Sequence, residues 1–145
     1  MSAKSVITDD VEIAHLVDRF MRYIHADIHR KAHIFDTEKV GPTGVIILMT
    51  LADLEPTPMH ELVRHLARDK SQITRALQAL DKTGMINRAS SLEDGRVCVL
   101  SLSHKGRQVV DSLRRVMADT IGTLLAPLDP AERDTLKGLL RKSIG

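Results

Sequence analysis

Along most of the chain, apolar side chains return every three or four residues, the spacing of one helical face. From Asp10 to about Ile34 the set is Ile13, Leu16, Val17, Phe20, Ile24 and Ile28, which predicts a long amphipathic helix. Gly41-Pro42 interrupts it. Thr43 to about Leu54 is apolar on nearly every side and reads as a buried helix. Glu55-Pro56-Thr57-Pro58 stops that helix, with Thr57 placed to cap a short helix from Pro58 to Ala67 and Pro58 at its first position, where a missing N–H costs nothing. The next helix, about Ser71 to Lys82, carries the stripe Ile73, Ala76, Leu77 and Leu80, and Gly84 stands where a left-handed residue closes a helix.

The period then changes from helical to alternating. Two β-type runs, Met85 to Ala89 and Val97 to Leu102, flank a polar tip ending in Asp94-Gly95-Arg96. Ser103 caps a long helix to about Leu125 bearing Val109, Leu113, Val116, Met117, Ile121 and Leu124. Pro127 breaks it, and Asp129-Pro130 starts a last helix with Leu136, Leu139 and Leu140 on one face. Two short helices, the second with a polar outer face, followed by a two-stranded ribbon, predict a winged helix-turn-helix. The fold class is therefore mainly α with a small β-hairpin wing. The winged-helix lobe, the part expected to bind DNA if the pattern carries its usual role, spans about 43–102, and the helices at 10–34 and 104–143 have apolar faces that need a partner, which a second copy of the chain would supply in a homodimer.

A length of 145 residues suits one domain. The net charge of +2 is too small to mark a nucleic-acid binder, so distribution has to decide. Basic residues gather from Arg64 to Lys82, and acids near Asp9 to Asp18 and Asp129 to Asp134, which permits a local positive face. The longest apolar run, Val45 to Met49, is too short to cross a bilayer, so no membrane partner is expected. The first ten residues lack an apolar signal core, and Cys98 is the single cysteine; both lead to a cytoplasmic expectation. No nucleophile elbow, phosphate loop or zinc-protease motif appears, so neither an enzyme nor a catalytic residue is expected.

At about 100° per residue, the side opposite the stripe of the second short helix carries Ser71, Arg75, Gln78 and Lys82, with Gln72 and Thr74 on its flanks. Arg75 and Gln78 have the bidentate geometry used for guanine and adenine edges, and Ser71 and Thr74 suit bases or phosphates. Lys70, Lys82 and Arg88 fit the DNA backbone, because a flexible charge positions without specifying. The blander reading is a solvated helix face, and a rival class is a winged-helix protein-interaction module with no DNA role. The discriminator is that a protein-binding face would show aromatic or Met anchors, which this one lacks. His25, His29 and His33 line up four residues apart, a spacing that suits zinc and would make a metal-responsive regulator. With only Asp27 and Asp36 nearby, a polar stripe is the favoured reading, and no metal or other cofactor is expected. Cys98 has no charged sequence neighbour to activate it and reads as packing.

From Met59 to Gly106 the chain resembles the MarR family of bacterial transcription regulators. The likeness rests on the order of a short helix, a recognition helix ending in Leu80-Asp81-Lys82-Thr83-Gly84, Arg88 after the first strand, the tip Asp94-Gly95-Arg96, and Leu102-Ser103-His104-Lys105-Gly106 opening the next helix. The resemblance implies a dimeric repressor on a pseudo-palindromic operator. It also implies a cleft between the dimerisation helices and the DNA-binding lobe for a small, often aromatic or phenolic, effector that weakens DNA binding. Arg96 would enter the minor groove, with Asp94 orienting its guanidinium through a bidentate pair. The chain departs from the family pattern at Gly95, where a second basic residue is frequent, and at Ser90-Ser91-Leu92, which lacks a common proline. The cysteine of the family's peroxide sensors is also missing from the start of the first helix.

Overall fold

The computed structural model describes residues 3–31 and 40–145. In chain order the elements are α1 (Ala3–Lys31), α2 (Pro42–Leu54), β1 (Thr57–Pro58), α3 (Met59–Leu66), α4 (Lys70–Lys82), β2 (Ile86–Ser90), β3 (Cys98–Leu102), α5 (His104–Leu124) and α6 (Pro130–Ile144). This is the mainly helical winged fold that the sequence pattern predicts. Helix α1 starts at Ala3 rather than Asp10, because neither glycine nor proline interrupts the stretch before the first apolar repeat. The chain divides into two compact units, one of Ala32–Arg114 and one of Met1–Lys31 with Arg115–Gly145.

In the unit 32–114, α2 is the central helix. Its Ile47, Leu48 and Leu51 are fully buried, and it packs against α3, α4 and β3. Leu62 and Leu66 of α3, Ile73, Leu77 and Leu80 of α4, and Leu100 and Leu102 of β3 complete this core. The sheet has three antiparallel strands in the order β1-β3-β2, with Thr57 opposite Leu100 on one side and Arg88 opposite Leu100 on the other. The third strand corrects the sequence reading of Thr57. Its backbone lies in the sheet, its hydroxyl reaches only the Pro58 carbonyl at 3.5 Å, and Pro58 itself precedes α3 as the N-cap residue. Pairing with the otherwise open edge of β3 satisfies more backbone groups than one cap would.

Two glycines join the recognition helix to the wing. Gly84 has φ of +74°, and the Gly84 N–H to Asp81 carbonyl and Met85 N–H to Leu80 carbonyl bonds, at 3.0 and 2.9 Å, form a Schellman closure of α4. At Gly106 any Cβ would overlap the Met85 carbonyl oxygen, so only glycine lets α5 start this close to the head of β2. Ser103 fastens the junction. Its hydroxyl donates to the Gly84 carbonyl at 2.6 Å and accepts the Gly106 N–H at 3.0 Å, which makes it the expected cap of α5. Glu55 ties the far end of α2 to the same region. Its carboxylate, 13% exposed, accepts the Leu102 N–H at 2.8 Å and pairs with Arg107 at 2.6 Å.

The other unit contains α1, the C-terminal part of α5 and α6. Asp129 and Glu132 form a reciprocal capping box at the start of α6, and Arg133 donates to the Leu125 carbonyl at 2.9 Å. Near the end of α1, Asp27 accepts from the fully buried Thr120 hydroxyl at 2.6 Å, from Lys31 at 2.8 Å and from Arg30 at 3.0 Å. Ile13, Leu16, Val17 and Phe20 of α1, with Leu139 and Leu140 of α6, remain exposed in the single chain. Leu113 and Val116, by contrast, are already buried within the chain.

Glu55→Ala removes a charge-assisted acceptor and strands the Leu102 N–H, so it should cost about 1–3 kcal/mol in urea unfolding. Glu55→Gln, which keeps an acceptor for that N–H, should cost less. The Lys31 hydrogen bond first, then those of Thr120 and Arg30, hold the Asp27 carboxyl well below the usual carboxylate range. A lowered folded-state pKa adds stability that is complete above about pH 4 and drains away as pH falls further. Melting temperatures from pH 5 to 2 should therefore fall less steeply for Asp27→Asn than for the native chain.

Candidate nucleic-acid interface

Helix α4 separates its residues cleanly. Ile73, Leu77 and Leu80 are buried against α2, while Ser71, Gln72, Thr74, Arg75, Gln78 and Lys82 are all exposed, as is Lys70 in the first turn. Every residue expected on the polar face is on it. Their hydrogen bonds are less open than the sequence suggests. Thr74 donates its hydroxyl proton to the Lys70 carbonyl at 2.8 Å, Ser71 donates to the Asp69 carboxylate, and the Arg75 Nε rests 3.4 Å from the Ser71 carbonyl.

The wing brings two further cations to one place. Arg88 and Arg96 line a shallow hollow of about 240 Å³ with Gly95, Val97 and Cys98. Arg88 does not stand alone: its Nε pairs with Asp81, in the last turn of α4, at 2.8 Å. A hydrogen bond through Nε leaves the two terminal nitrogens of a guanidinium to face outward. Asp81 therefore positions Arg88 across the helix–wing junction. Arg88 is thus a held cation rather than the flexible charge expected from the sequence.

At the tip, Asp94 corrects a second expectation. Its Oδ1 accepts the Arg96 backbone N–H at 3.0 Å, while the Arg96 Nε lies 3.6 Å from the same oxygen, beyond hydrogen-bond length. Asp94 thus shapes the turn and keeps an ion pair with the Arg96 guanidinium through one oxygen rather than a bidentate fork, and Arg96 has 96% of its side chain exposed. Ser91 fixes the other side of the loop, its hydroxyl oxygen accepting the N–H groups of Glu93 at 3.2 Å and Asp94 at 3.4 Å. A side-chain turn of this kind restrains the backbone where the family pattern has proline.

A separate cleft of about 350 Å³ opens between the start of α2, at Gly41 to Gly44, and the flank of α4 formed by Gln72, Arg75, Ala76 and Ala79. His25 and His29 are exposed on α1, and His33 and Asp36 lie outside the described residues. Among the described residues no group of three or more His, Cys, Asp and Glu converges as a metal site would need. No described helix is long and apolar enough to cross a membrane.

A helix buried on one face and followed by a two-stranded hairpin is the winged helix-turn-helix arrangement. The MarR family model matches residues 42–98. An HTH-type transcriptional regulator of Mycobacterium tuberculosis is 33% identical over 81 residues, 56% of this chain and 56% of that protein. The chain thus spans about half the length of the mycobacterial relative it matches. Among solved structures, a "probable transcriptional regulator" from Pseudomonas aeruginosa is 31% identical, with 88% of this chain and 98% of that one covered and a TM-score of 0.54. Bordetella bronchiseptica BpsR, whose DNA binding is regulated by 6-hydroxynicotinic acid, aligns over 92% of this chain and 99% of its own, with 21% identity and a TM-score of 0.63. Over residues 42–98 the chain is similar to the MarR family, and the relatives it matches are named as transcription regulators.

Asp94→Ala should leave the melting temperature nearly unchanged, because the tip is exposed. Amide exchange at Arg96 should accelerate as its acceptor is lost.

Proposed function

We propose that the protein is a dimeric DNA-binding regulator, a repressor that places α4 in the major groove of each half of a pseudo-palindromic operator and the wing tip in the adjoining minor groove. The observation that carries this reading is the polar face of α4, fully presented by a helix whose other side is locked into the core. Arg75 and Gln78 are the base readers, with Ser71, Gln72 and Thr74 beside them. Lys70, Lys82 and Arg88 hold phosphates, and Arg96 follows groove shape. A protein-docking role is disfavoured because the exposed large apolar side chains lie on α1, α5, α6 and at Leu92, and none lies on α4.

The exposed apolar residues of α1 and α6 support dimerisation, since a second copy would cover Leu16, Phe20, Leu139 and Leu140. Leu113 and Val116 have no part in that surface. A dimer of this class sets its recognition helices roughly 34–36 Å apart, one turn of DNA. By analogy with the regulated DNA binding of BpsR, a small ligand that favours another spacing would release the operator.

A gel shift against the DNA flanking the gene for this protein tests the reading. A palindromic fragment should bind far more tightly than a half-site. Arg75→Ala should lose about 1–3 kcal/mol on the operator and much less on random DNA. Binding that ignores sequence and palindromy would sink the proposal.

A further inference from the structure

We propose that Leu92, in the wing loop, is an apolar wedge that enters the minor groove and partly unstacks one base step in each half-site. This deepens the DNA-binding role proposed above and rests on it. Among the described residues of the unit 32–114, Leu92 is the one large apolar side chain left exposed, and its exposure is complete. The backbone on either side of it is held. The Ser91 N–H reaches the Val97 carbonyl at 2.9 Å, the Val97 N–H reaches the Asp94 carbonyl at 3.0 Å, and the Ser91 hydroxyl oxygen accepts the N–H groups of Glu93 and Asp94. A lone exposed leucine on a broad surface needs no explanation. This one sits in a hydrogen-bonded loop four residues from Arg96, on the part of the chain that would meet the groove.

Charge alone would hold this loop to DNA weakly. The cations Arg88 and Arg96 are matched by Glu93 and Asp94, so the stretch 88–96 carries no net charge, and both arginines are already paired with acids. Phosphate attraction grows with the positive charge brought to the backbone, so a neutral tip needs another source of affinity. A leucine supplies it. Pushed between two base pairs from the minor groove, an apolar side chain leaves water, opens the step and bends the duplex toward the major groove. Unstacking costs least at flexible pyrimidine–purine steps and most in stiff A-tracts. Leu92 therefore favours a TA or CA step, whereas Arg96 acting alone would favour the narrow groove of an A-tract.

The test starts by selecting the preferred duplex of the full-length protein from random ones. Variants of that duplex then place TA, CA or AA in turn at each step flanking the core, with 2-aminopurine beside the step to report unstacking by its fluorescence. The native protein should favour TA over AA by roughly 10-fold at one step per half-site, with fluorescence rising on binding. Leu92→Ala should lose both the preference and the rise, while Leu92→Met, which keeps a long apolar side chain, should retain them. Both variants should melt as the native chain does, because the side chain is fully exposed. If Leu92→Ala keeps the native step preference and fluorescence rise, the inference fails while the DNA-binding role stands. It fails equally if Leu92→Ala changes the sedimentation of the protein and leaves step preference intact, which would make Leu92 a contact between copies of the chain. If the native protein selects no duplex, both readings fail together.

Discussion

Between the recognition helix and the first wing strand lie only Thr83, Gly84 and Met85, and the geometry of that junction governs everything the molecule presents. The left-handed Gly84 turns the chain, the Met85 N–H returns to close α4, and the Met85 carbonyl takes the Ser103 N–H at 3.0 Å. Ser103 then bridges the Gly84 carbonyl and the first turn of α5. Leu80 of α4 satisfies the Met85 N–H, and Ser103, ahead of α5, satisfies the carbonyls of both Met85 and Gly84. Helix, strand and following helix are consequently fixed together, and neither α4 nor the wing can rotate without breaking the shared bonds.

Electrostatic positioning follows the same plan. A net charge of +2 leaves little excess to spread over the surface, so the chain holds individual cations in place instead. Asp81 restrains Arg88 across the junction, and Asp94 shapes the loop from which Arg96 projects. Each acid lowers the local positive charge and in exchange limits where the cation can go. Screening weakens such exposed pairs as attractions, but a preferred direction survives salt better than an attraction does.

The elements with long, regular periodicity were legible from the residues: α2, α4, α5 and α6 lie close to where their apolar positions put them, while α1 contains its predicted stripe but starts at Ala3, and its expected end at Ile34 lies outside the described residues. The Asp129 and Ser103 caps were also legible, because a cap is a local rule. The two-residue strand Thr57–Pro58 was not, since it has no period and exists only because β3 offers a free edge. The polar residues of α4 could be read as a face, but which of their protons are already committed depends on neighbours at Asp69 and Lys70 that a helical wheel does not rank. Asp81 and Arg88 were each visible in the sequence; their pairing required the Schellman turn that brings them together.

Proline at the end of β1 also decides what the sheet cannot do. Pro58 lies opposite Val99 on the outer strand and has no N–H to offer to a further chain. On the opposite margin, β2 carries Asn87, Arg88 and Ser90, all exposed and polar. A row of unpaired amides with an apolar face is the template on which proteins add strands and grow into aggregates, and both margins of this wing depart from that template. The hairpin can thus be held out in solvent without becoming a seed for strand-to-strand assembly.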